Sequence, residues 1–312
     1  MKILRRLLYT VLVLFILLNI MSAFHAYKFT HFYDDASLRR PKPEQMSFGD
    51  KASAIFLGVK YPKSVNTLVP QIPYETVHLK TRDKLLIEAW HCTQESPKGT
   101  VILFHGHGSS KSKVLPEAMS FYSMGYNIFL VDFRAHGGSQ GNTCTIGYEE
   151  AEEVKLAYNY IAQKEKNIIL WGISMGAATI TRAMAQYDDL KPNKVILEMS
   201  FGNLLGAVKG RVRLMGLPAQ PLSSLLAFWG GVEQGFWAFN YQPCEYAKSI
   251  KCPVLVQWGK NDARVTEEEE KCIYEAIPGK QKKLVIYEHS GHQSLFANET
   301  EKWEKEVRAF LK

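Results

Sequence analysis

Short apolar runs alternate with helical patterns along most of the chain. Apolar residues at every position of such short runs are typical of strands that are buried on both faces of a parallel sheet. Residues 74–79 and 85–90 lie on either side of the polar residues 81–84 and predict a β-hairpin. The buried strands are predicted at residues 101–104, 128–131, 168–171, 195–197, 254–258 and 284–287.

The stretches between these runs have the spacing of amphipathic helices. One of them begins with a capping box, because Thr266 is followed three residues later by Glu269. Strands that alternate with helices indicate an α/β fold with a doubly wound, mostly parallel sheet. The helices are predicted at residues 113–124, 148–163, 175–186, 267–276 and 299–311.

The N-terminus predicts a membrane segment. Residues 7–21 are almost unbroken apolar. Residues 7–27 would form a helix of about 30 Å, which matches the thickness of the hydrocarbon core of a bilayer. We therefore predict a membrane anchor in residues 1–33. A cleaved signal peptide is the alternative, although residues 22–26 offer no clean small-residue cleavage site.

Basic residues on the two sides of this segment bear on its orientation. They are Lys2, Arg5 and Arg6 before the segment and Lys28, Arg39, Arg40 and Lys42 after it. The charges nearest the segment favour an N-terminus in the cytoplasm, so we expect the rest of the chain outside it. After signal cleavage the protein would instead be secreted or periplasmic.

Residues 34–73 contain five prolines, including Pro41 and Pro43, and predict a linker that wraps around the following domain. The regular alternation of strands and helices begins at residue 74, so residues 74–312 are predicted to form one domain. Within it, residues 203–243 make a long connection between two strands. We interpret this connection as a small helical cap.

The composition excludes several classes of protein. With 312 residues, of which 46% are hydrophobic and 22% charged, the chain can form a packed core and is not mainly disordered. The net charge is +7, but four basic residues precede the first acidic residue, Asp34. The remainder has 34 basic and 31 acidic residues, a difference of +3, so no nucleic-acid partner is predicted.

The five cysteines form no C-x-x-C pair, which argues against a zinc site. Their odd number argues against a complete disulfide framework. We favour five free, largely buried thiols. A single bridge between Cys244 and Cys252 is the alternative, for an oxidising compartment.

The candidate chemistry follows the predicted strands, because ligands bind beyond the carboxyl ends of strands in such sheets. Residues 172–176 read GISMG and lie between a strand and a helix. A turn of this pattern lifts a serine Oγ clear of the sheet, and the N-terminus of the helix favours developing negative charge. Ser174 is therefore the predicted nucleophile. A plain glycine-rich turn is the alternative interpretation.

A histidine and an acid follow later strands, which gives the order serine, acid, histidine. His292 is the predicted general base, and His289 is its rival. Asp262 is predicted to accept a hydrogen bond from His292 and to fix its tautomer, with Glu198 as the alternative acid.

An oxyanion hole needs two backbone N–H donors that point at the developing charge. Met175, the residue after the nucleophile, is predicted to supply one. Residues 105–108 read HGHG and follow the strand at 101–104. We expect His107 to supply the second donor through its backbone, although the histidines of this loop could also serve only to shape it.

Together these motifs resemble the α/β-hydrolase superfamily over residues 74–312. The resemblance is closest to single-span or secreted bacterial serine hydrolases of the serine-aminopeptidase-like and BEM46-like groups. Residues 132–139 read DFRAHGGS and are similar to the D-x-R-G-x-G-x-S loop of relatives, with Ala135 and His136 as departures. The resemblance implies a triad of Ser174, Asp262 and His292, with no metal and no cofactor.

The predicted cap is rich in aromatic residues, and we expect Phe228, Trp229 and Trp237 to line the substrate pocket. Two ordinary helices that pack on the sheet are the alternative. A modest cap suits a small or medium acyl group.

The sequence thus predicts a membrane-anchored serine hydrolase that cleaves a small-molecule carboxylic ester through an acyl-enzyme. A peptidase acting on short peptides and a thioesterase remain alternatives, because the fold hosts all three activities. The cap shows no acidic cluster that would hold a substrate amino group. A catalytically silent binding module is the remaining alternative, and the oligomeric state stays open.

Overall fold

The computed structural model describes residues 1–35, 37–38 and 46–312. Arg39, Arg40, Pro41, Lys42 and Pro43, which the sequence assigns to a linker and to the charges after the membrane segment, lie outside the described residues.

One eight-stranded sheet forms the centre of the molecule, and it confirms the predicted α/β fold. In chain order its strands are β1 Glu75–Lys80, β2 Leu86–Cys92, β3 Thr100–Phe104, β4 Asn127–Val131, β5 Ile168–Ile173, β6 Lys194–Glu198, β7 Val254–Gly259 and β8 Lys282–Tyr287. Their spatial order is β1-β2-β4-β3-β5-β6-β7-β8. Strand β2 pairs antiparallel with β1 and β4, and every other pairing is parallel.

The apolar runs are explained by burial on both faces of this sheet. In β3 all five residues are buried. Ile102 and Phe104 pack into the cluster on one face, whereas Val101 and Leu103 pack into the cluster on the other. Because side chains alternate along a strand, two apolar layers require an uninterrupted apolar sequence.

Helices follow the strands and cover the sheet. Helix α5 begins directly after β5, and α9 follows β7, as the sequence predicts. The helices are α1 Lys2–Thr30, α2 Phe48–Leu57, α3 Leu115–Ser123, α4 Ala151–Ala162, α5 Met175–Gln186, α6 Leu204–Leu214, α7 Leu222–Gln234, α8 Pro243–Tyr246, α9 Glu267–Ala276, α10 Leu295–Asn298 and α11 Thr300–Leu311.

Helix α1 is the one helix of the described residues that is long and apolar enough to cross a membrane. Its residues up to Leu17 are exposed, but from Leu18 onward the helix is partly buried against the domain. Trp229 of α7 donates a hydrogen bond from Nε1 to Asn19 Oδ1 at 3.1 Å. Gln234 Nε2 likewise donates to Thr30 Oγ1 at 3.0 Å.

This packing separates α1 into two parts that the hydropathy pattern does not distinguish. The exposed part, residues 2–17, is about 24 Å long at the rise of an α-helix, so a helix that crosses a hydrocarbon core of ~30 Å would also use the first residues of the second part. The other part contacts α7 and α2. His25 Nε2, for example, lies 2.7 Å from the Ile55 carbonyl oxygen.

The predicted cap segment forms α6 and α7, which pack against each other and, through α7, against α1. The linker segment contains α2, whose N-terminus has a capping box between Ser47 and Asp50. Helices α2 and α7 both contact α1, and Lys51 Nζ of α2 donates to the Leu214 carbonyl oxygen of α6 at 3.1 Å, so the N-terminal helix packs within one group of helices.

The cysteine prediction was wrong. Cys244 and Cys272 form a disulfide between α8 and α9, with 5.7 Å between their Cα atoms. Cys244 pairs with Cys272 and not with Cys252. Helix α8 packs against α9, and this contact brings together two cysteines that lie 28 residues apart. Cys92, Cys144 and Cys252 are free thiols.

Candidate active site

Ser174 occupies a strained turn between β5 and α5. Its φ of 54° and ψ of −116° lie outside the regions that non-glycine residues prefer. A Cβ on Gly172 would lie 2.6 Å from the Gly176 carbonyl carbon, and a Cβ on Gly176 would lie 2.2 Å from the Phe104 carbonyl oxygen. The turn can approach β3 this closely only because both flanking residues are glycine.

The structure brings Ser174, His292 and Asp262 together at the carboxyl ends of β5, β8 and β7. Ser174 Oγ lies 2.9 Å from His292 Nε2, and His292 Nδ1 lies 2.7 Å from Asp262 Oδ2. A carboxylate at Nδ1 requires the proton on that nitrogen, which leaves the Nε2 lone pair to accept from the serine hydroxyl. The three side chains are therefore arranged for proton transfer from Ser174 to His292.

Asp262 is held in one orientation by its own loop. The side chain has no exposed surface. Oδ1 accepts hydrogen bonds from the backbone N–H groups of Arg264 at 2.7 Å and Val265 at 2.9 Å, so Oδ2 faces His292. Donors of this kind stabilise an ionised carboxylate away from water.

The two rival residues lie in other surroundings. His289 is exposed, and its backbone N–H donates to Glu299 Oε1 at 3.0 Å. Glu198 Oε1 accepts hydrogen bonds from Trp171 Nε1 at 2.8 Å and Trp303 Nε1 at 2.7 Å. Burial raises the pKa of Glu198 to about 8, although these donors oppose the shift. Its carboxyl group is thus part of the interior of the sheet.

Two histidine rings shape the loop at residues 105–108. His105 Nδ1 lies 2.8 Å from the Gly106 carbonyl oxygen, and its Nε2 accepts from the Phe133 N–H at 3.1 Å. His136 Nε2 accepts from the Gly108 N–H at 2.8 Å. A Cβ on Gly106 would lie 3.4 Å from Ser174 Cβ, so this loop runs directly past the serine.

The proposed oxyanion donors belong to this region, and their role stays a prediction. Met175 is the first residue of α5 and is buried. His107 lies in the loop beside Ser174, and its ring stacks on Phe29 of α1 with 4.5 Å between ring centroids. This contact between α1 and the loop could not be predicted, because nothing in either local sequence indicates it.

Ala135, which stands where relatives more often have glycine, adopts a left-handed backbone conformation. Its φ is 63°, in the left-handed region where glycine is favoured. The neighbouring His136 holds Gly108, as described above, and its Nδ1 lies 2.7 Å from the Arg134 carbonyl oxygen. The 132–139 segment therefore supports the loop beside Ser174 and contributes no group to the serine–histidine–aspartate chain.

A cavity of about 210 Å³ opens at Ser174 and His292. Lys113, Arg211 and Arg264 contribute to its wall and give it positive charge.

Glu117 is an acidic residue of this wall that sequence analysis missed. It lies within α3 on a face that also buries Leu115, Ala118 and Phe121, and it is almost completely buried. Its Oε1 accepts a hydrogen bond from Ser294 Oγ, whereas no described residue hydrogen bonds to Oε2. Burial raises the pKa of Glu117 above the usual range for a carboxyl group.

A second cavity, of about 340 Å³, lies between α1, α2, α6 and α7. We call it the apolar cavity, and its wall includes Leu18, Phe29, Val208, Met215, Leu222 and Leu226. Arg211 lines both cavities.

The predicted pocket residues do not line either cavity, so that prediction needs correction. Trp229 faces Asn19 of α1, and Trp237 is half exposed. Phe228 packs edge-on against both tryptophans. Helix α7 places Trp229 against α1 and presents Leu222 and Leu226 to the apolar cavity, whereas Trp237 follows the end of α7.

Comparisons with known proteins show which family and which proteins the chain is similar to. Residues 95–204 match the family described as serine aminopeptidase, S33. The uncharacterized protein YqkD of Bacillus subtilis is 25% identical over 229 residues, which cover 72% of this chain and 75% of YqkD. Protein bem46 of Schizosaccharomyces pombe is 31% identical over 153 residues, covering 47% of this chain and 49% of bem46.

Among solved structures, an esterase from Pyrococcus furiosus superposes with a TM-score of 0.68 at 24% identity. The superposition covers 80% of this chain and 96% of the esterase. At this identity the likeness establishes the fold and leaves the substrate open.

Proposed function

We propose that this chain, which is an α/β-hydrolase of the BEM46-like group, hydrolyses a carboxylic ester through an acyl-enzyme intermediate. The observation that carries the proposal is the continuous chain of hydrogen bonds from Ser174 through His292 to Asp262. It is supported by the strained backbone of Ser174, which exposes the hydroxyl at the end of the sheet.

In the proposed reaction Ser174 Oγ attacks the ester carbonyl carbon while its proton moves to His292 Nε2. The carbonyl oxygen becomes an oxyanion, which the backbone N–H groups of Met175 and His107 stabilise. The carbon–oxygen bond to the alcohol then breaks, and His292 returns the proton to the departing alcohol. A water molecule attacks the acyl-enzyme by the same route and releases the acid and free Ser174.

A peptidase is the second candidate, and Glu117 is the observation that favours it. Its carboxyl group lies in the wall of the catalytic cavity, with one oxygen that no described residue hydrogen bonds to. A carboxyl group in that position suits the amino group of a peptide substrate. The cations Lys113, Arg211 and Arg264 around the same cavity oppose this reading, and they favour the ester.

We further propose that α1 anchors the enzyme to a membrane, with the hydrolase domain outside the cytoplasm. The exposed apolar residues of its first part and the basic residues that precede them support this orientation. Anchoring through an uncleaved helix is also supported by the burial of Ser22, Ala26 and Thr30 against the domain. A signal peptide that is removed would not need such contacts.

The test is reaction of the full-length chain in detergent micelles with a fluorophosphonate probe. The serine oxygen displaces fluoride from phosphorus only if the hydroxyl is activated. We expect Ser174→Ala to abolish labelling and to lower ester hydrolysis by about 10⁶-fold. Ser224→Ala is the matched control, because Ser224 lies on α7, lines neither cavity and donates a hydrogen bond to Gln220 Oε1 at 2.8 Å.

Labelling that survives in Ser174→Ala, or folded wild-type protein that does not react, would refute the proposed nucleophile. The second outcome would favour a binding module. A panel of acyl esters, acyl thioesters and amino-acid anilides then separates the esterase from the thioesterase and the peptidase. Faster turnover of anilides with a free amino group would support the peptidase.

A further inference from the structure

We propose that the apolar cavity binds the hydrocarbon chain of the substrate, so that the natural substrate is a long-chain, amphiphilic ester. The inference rests on the proposed function, because the ester carbonyl of such a substrate would lie at Ser174. It revises the small or medium acyl group that the sequence suggests.

The wall of the cavity has the chemistry of a lipid-chain site. Its volume of about 340 Å³ lies in the range of small-molecule binding sites. Aliphatic and aromatic side chains from four helices form most of the wall. Its few polar groups are largely engaged with neighbours: Ser22 Oγ donates to the Leu18 carbonyl oxygen at 2.8 Å, and Thr30 Oγ1 donates to the Ala26 carbonyl oxygen at 3.1 Å. An unbranched hydrocarbon needs no partner for hydrogen bonds.

The apolar cavity adjoins the catalytic cavity at two aromatic contacts. Arg211 belongs to both walls, and its guanidinium carbon lies 4.5 Å from the centre of the Phe29 ring. In the second contact, the Phe29 ring stacks on the ring of His107, and His107 lines the catalytic cavity. The proposal places the carbonyl of the substrate at Ser174 and its hydrocarbon chain beyond His107 and Arg211, in the apolar cavity.

The same helix connects this cavity with the apolar surface of the protein. Residues 2–17 of α1 are exposed, and Leu18 is the first residue of α1 in the cavity wall. Helix α2 contacts the second part of α1 and exposes large apolar side chains of its own, Phe48, Phe56 and Leu57. A hydrocarbon chain in the cavity is thus bound beside the surface that would face lipid.

The expected preference for long chains over short ones can be derived from the number of methylene groups that the cavity buries. Each methylene group that enters an apolar site contributes about fourfold to binding, the equivalent of ~0.8 kcal/mol. The gain continues until the cavity is full. Partial burial of a dodecyl chain should therefore favour it over a butyl chain by about 50-fold or more in the second-order rate of reaction.

The experiment compares the rates at which butyl and dodecyl fluorophosphonates label Ser174 in the full-length chain. Val208→Trp fills the cavity, because Val208 is half-buried in its wall on α6. Val232→Trp is the matched control, because Val232 is exposed on α7 and does not line the cavity. The variant should lose at least about tenfold of its rate with the dodecyl probe and keep its rate with the butyl probe, whereas the control should keep both rates.

The reaction with the butyl probe distinguishes failure of the acyl-chain site from failure of the proposed hydrolase. A wild-type chain that reacts equally fast with both probes, or a Val208→Trp variant that keeps its preference for the longer chain, overturns the acyl-chain site and leaves the serine hydrolase intact. No reaction with either probe refutes the hydrolase itself. If Val208→Trp loses the butyl reaction as well, Met215→Trp at another point of the wall provides the second test.

Discussion

The catalytic residues and the apolar cavity are built on different physical principles. Ser174, His292 and Asp262 are held by directional hydrogen bonds of 2.7–2.9 Å at the carboxyl ends of β5, β8 and β7. The cavity is enclosed by helices whose residues lie up to about two hundred positions apart in the sequence, and its contacts are apolar. Replacing one atom of a catalytic hydrogen bond removes most of the activity that depends on it. In an apolar wall, the affinity for a ligand changes gradually with the volume of the side chains. Substitutions in the two regions should therefore differ in size and in kind.

The largest effect outside the nucleophile is expected for Asp262. Asp262→Asn keeps the shape of the side chain but no longer fixes the proton on His292 Nδ1. We expect kcat for a short ester to fall by about 10⁴-fold, as for the equivalent change in serine proteases.

The fold and the apolar cavity should be unaffected by this change, so thermal unfolding and binding of long-chain acids serve as controls. A loss of less than about tenfold would show that another group orients His292.

Glu198 provides the contrast, since it is a buried acid that we place outside the reaction. Its pKa is raised to about 8 by burial, so the folded state keeps a proton that the unfolded chain has already lost. The stability that Glu198 contributes is therefore present at low pH and is lost as the pH rises through about 8. Glu198→Gln removes this titration.

We expect the melting temperature of the wild type to fall relative to Glu198→Gln between about pH 4.5 and about pH 8, and the difference to stay constant above that range. Thermal unfolding across this range measures the effect. The variant should retain kcat within about threefold of the wild type at neutral pH, because its neighbours are Trp171 and Trp303 and not His292. A loss of activity as large as that of Asp262→Asn would instead identify Glu198 as the acid of the triad.

The smallest effect concerns the contact that joins the two regions. Phe29→Leu removes the ring that stacks on His107 and lies beside Arg211. Such aromatic contacts contribute about 1 kcal/mol, so we expect kcat/KM to fall by about fivefold. Phe24→Leu is the control, because Phe24 lies on the same helix but does not line the cavity. Equal losses in both variants would mean that α1 acts only through overall stability.

Much of the sheet could be predicted from the sequence because its signals are local. The strand β5 and the helix α5 follow from the apolar run and from the GISMG motif between them. Where helices begin and end was predicted less closely: the helix expected at 148–163 begins at Ala151, because a loop with its own hydrogen bonds to Glu150 precedes it.

The walls of the cavities could not be predicted in the same way. The aromatic residues of the cap were expected to face the substrate, but the rotation of α7 places Trp229 against α1. Glu117 was missed because a carboxyl group on an otherwise buried helix face has no local signature. In both cases the contact partner lies far away in the sequence.

The sequence by itself determined the sheet, the position of a serine on a tight turn, and the order of serine, acid and histidine, because each depends on a few neighbouring residues and on the periodicity of a strand or helix. The tertiary structure alone decided which half of α1 joins the domain, which cysteines pair, and which residues line the apolar cavity. Apolar packing has no fixed direction, so many arrangements of the same helices satisfy the same pattern of residues. Only the complete set of contacts selects one of them.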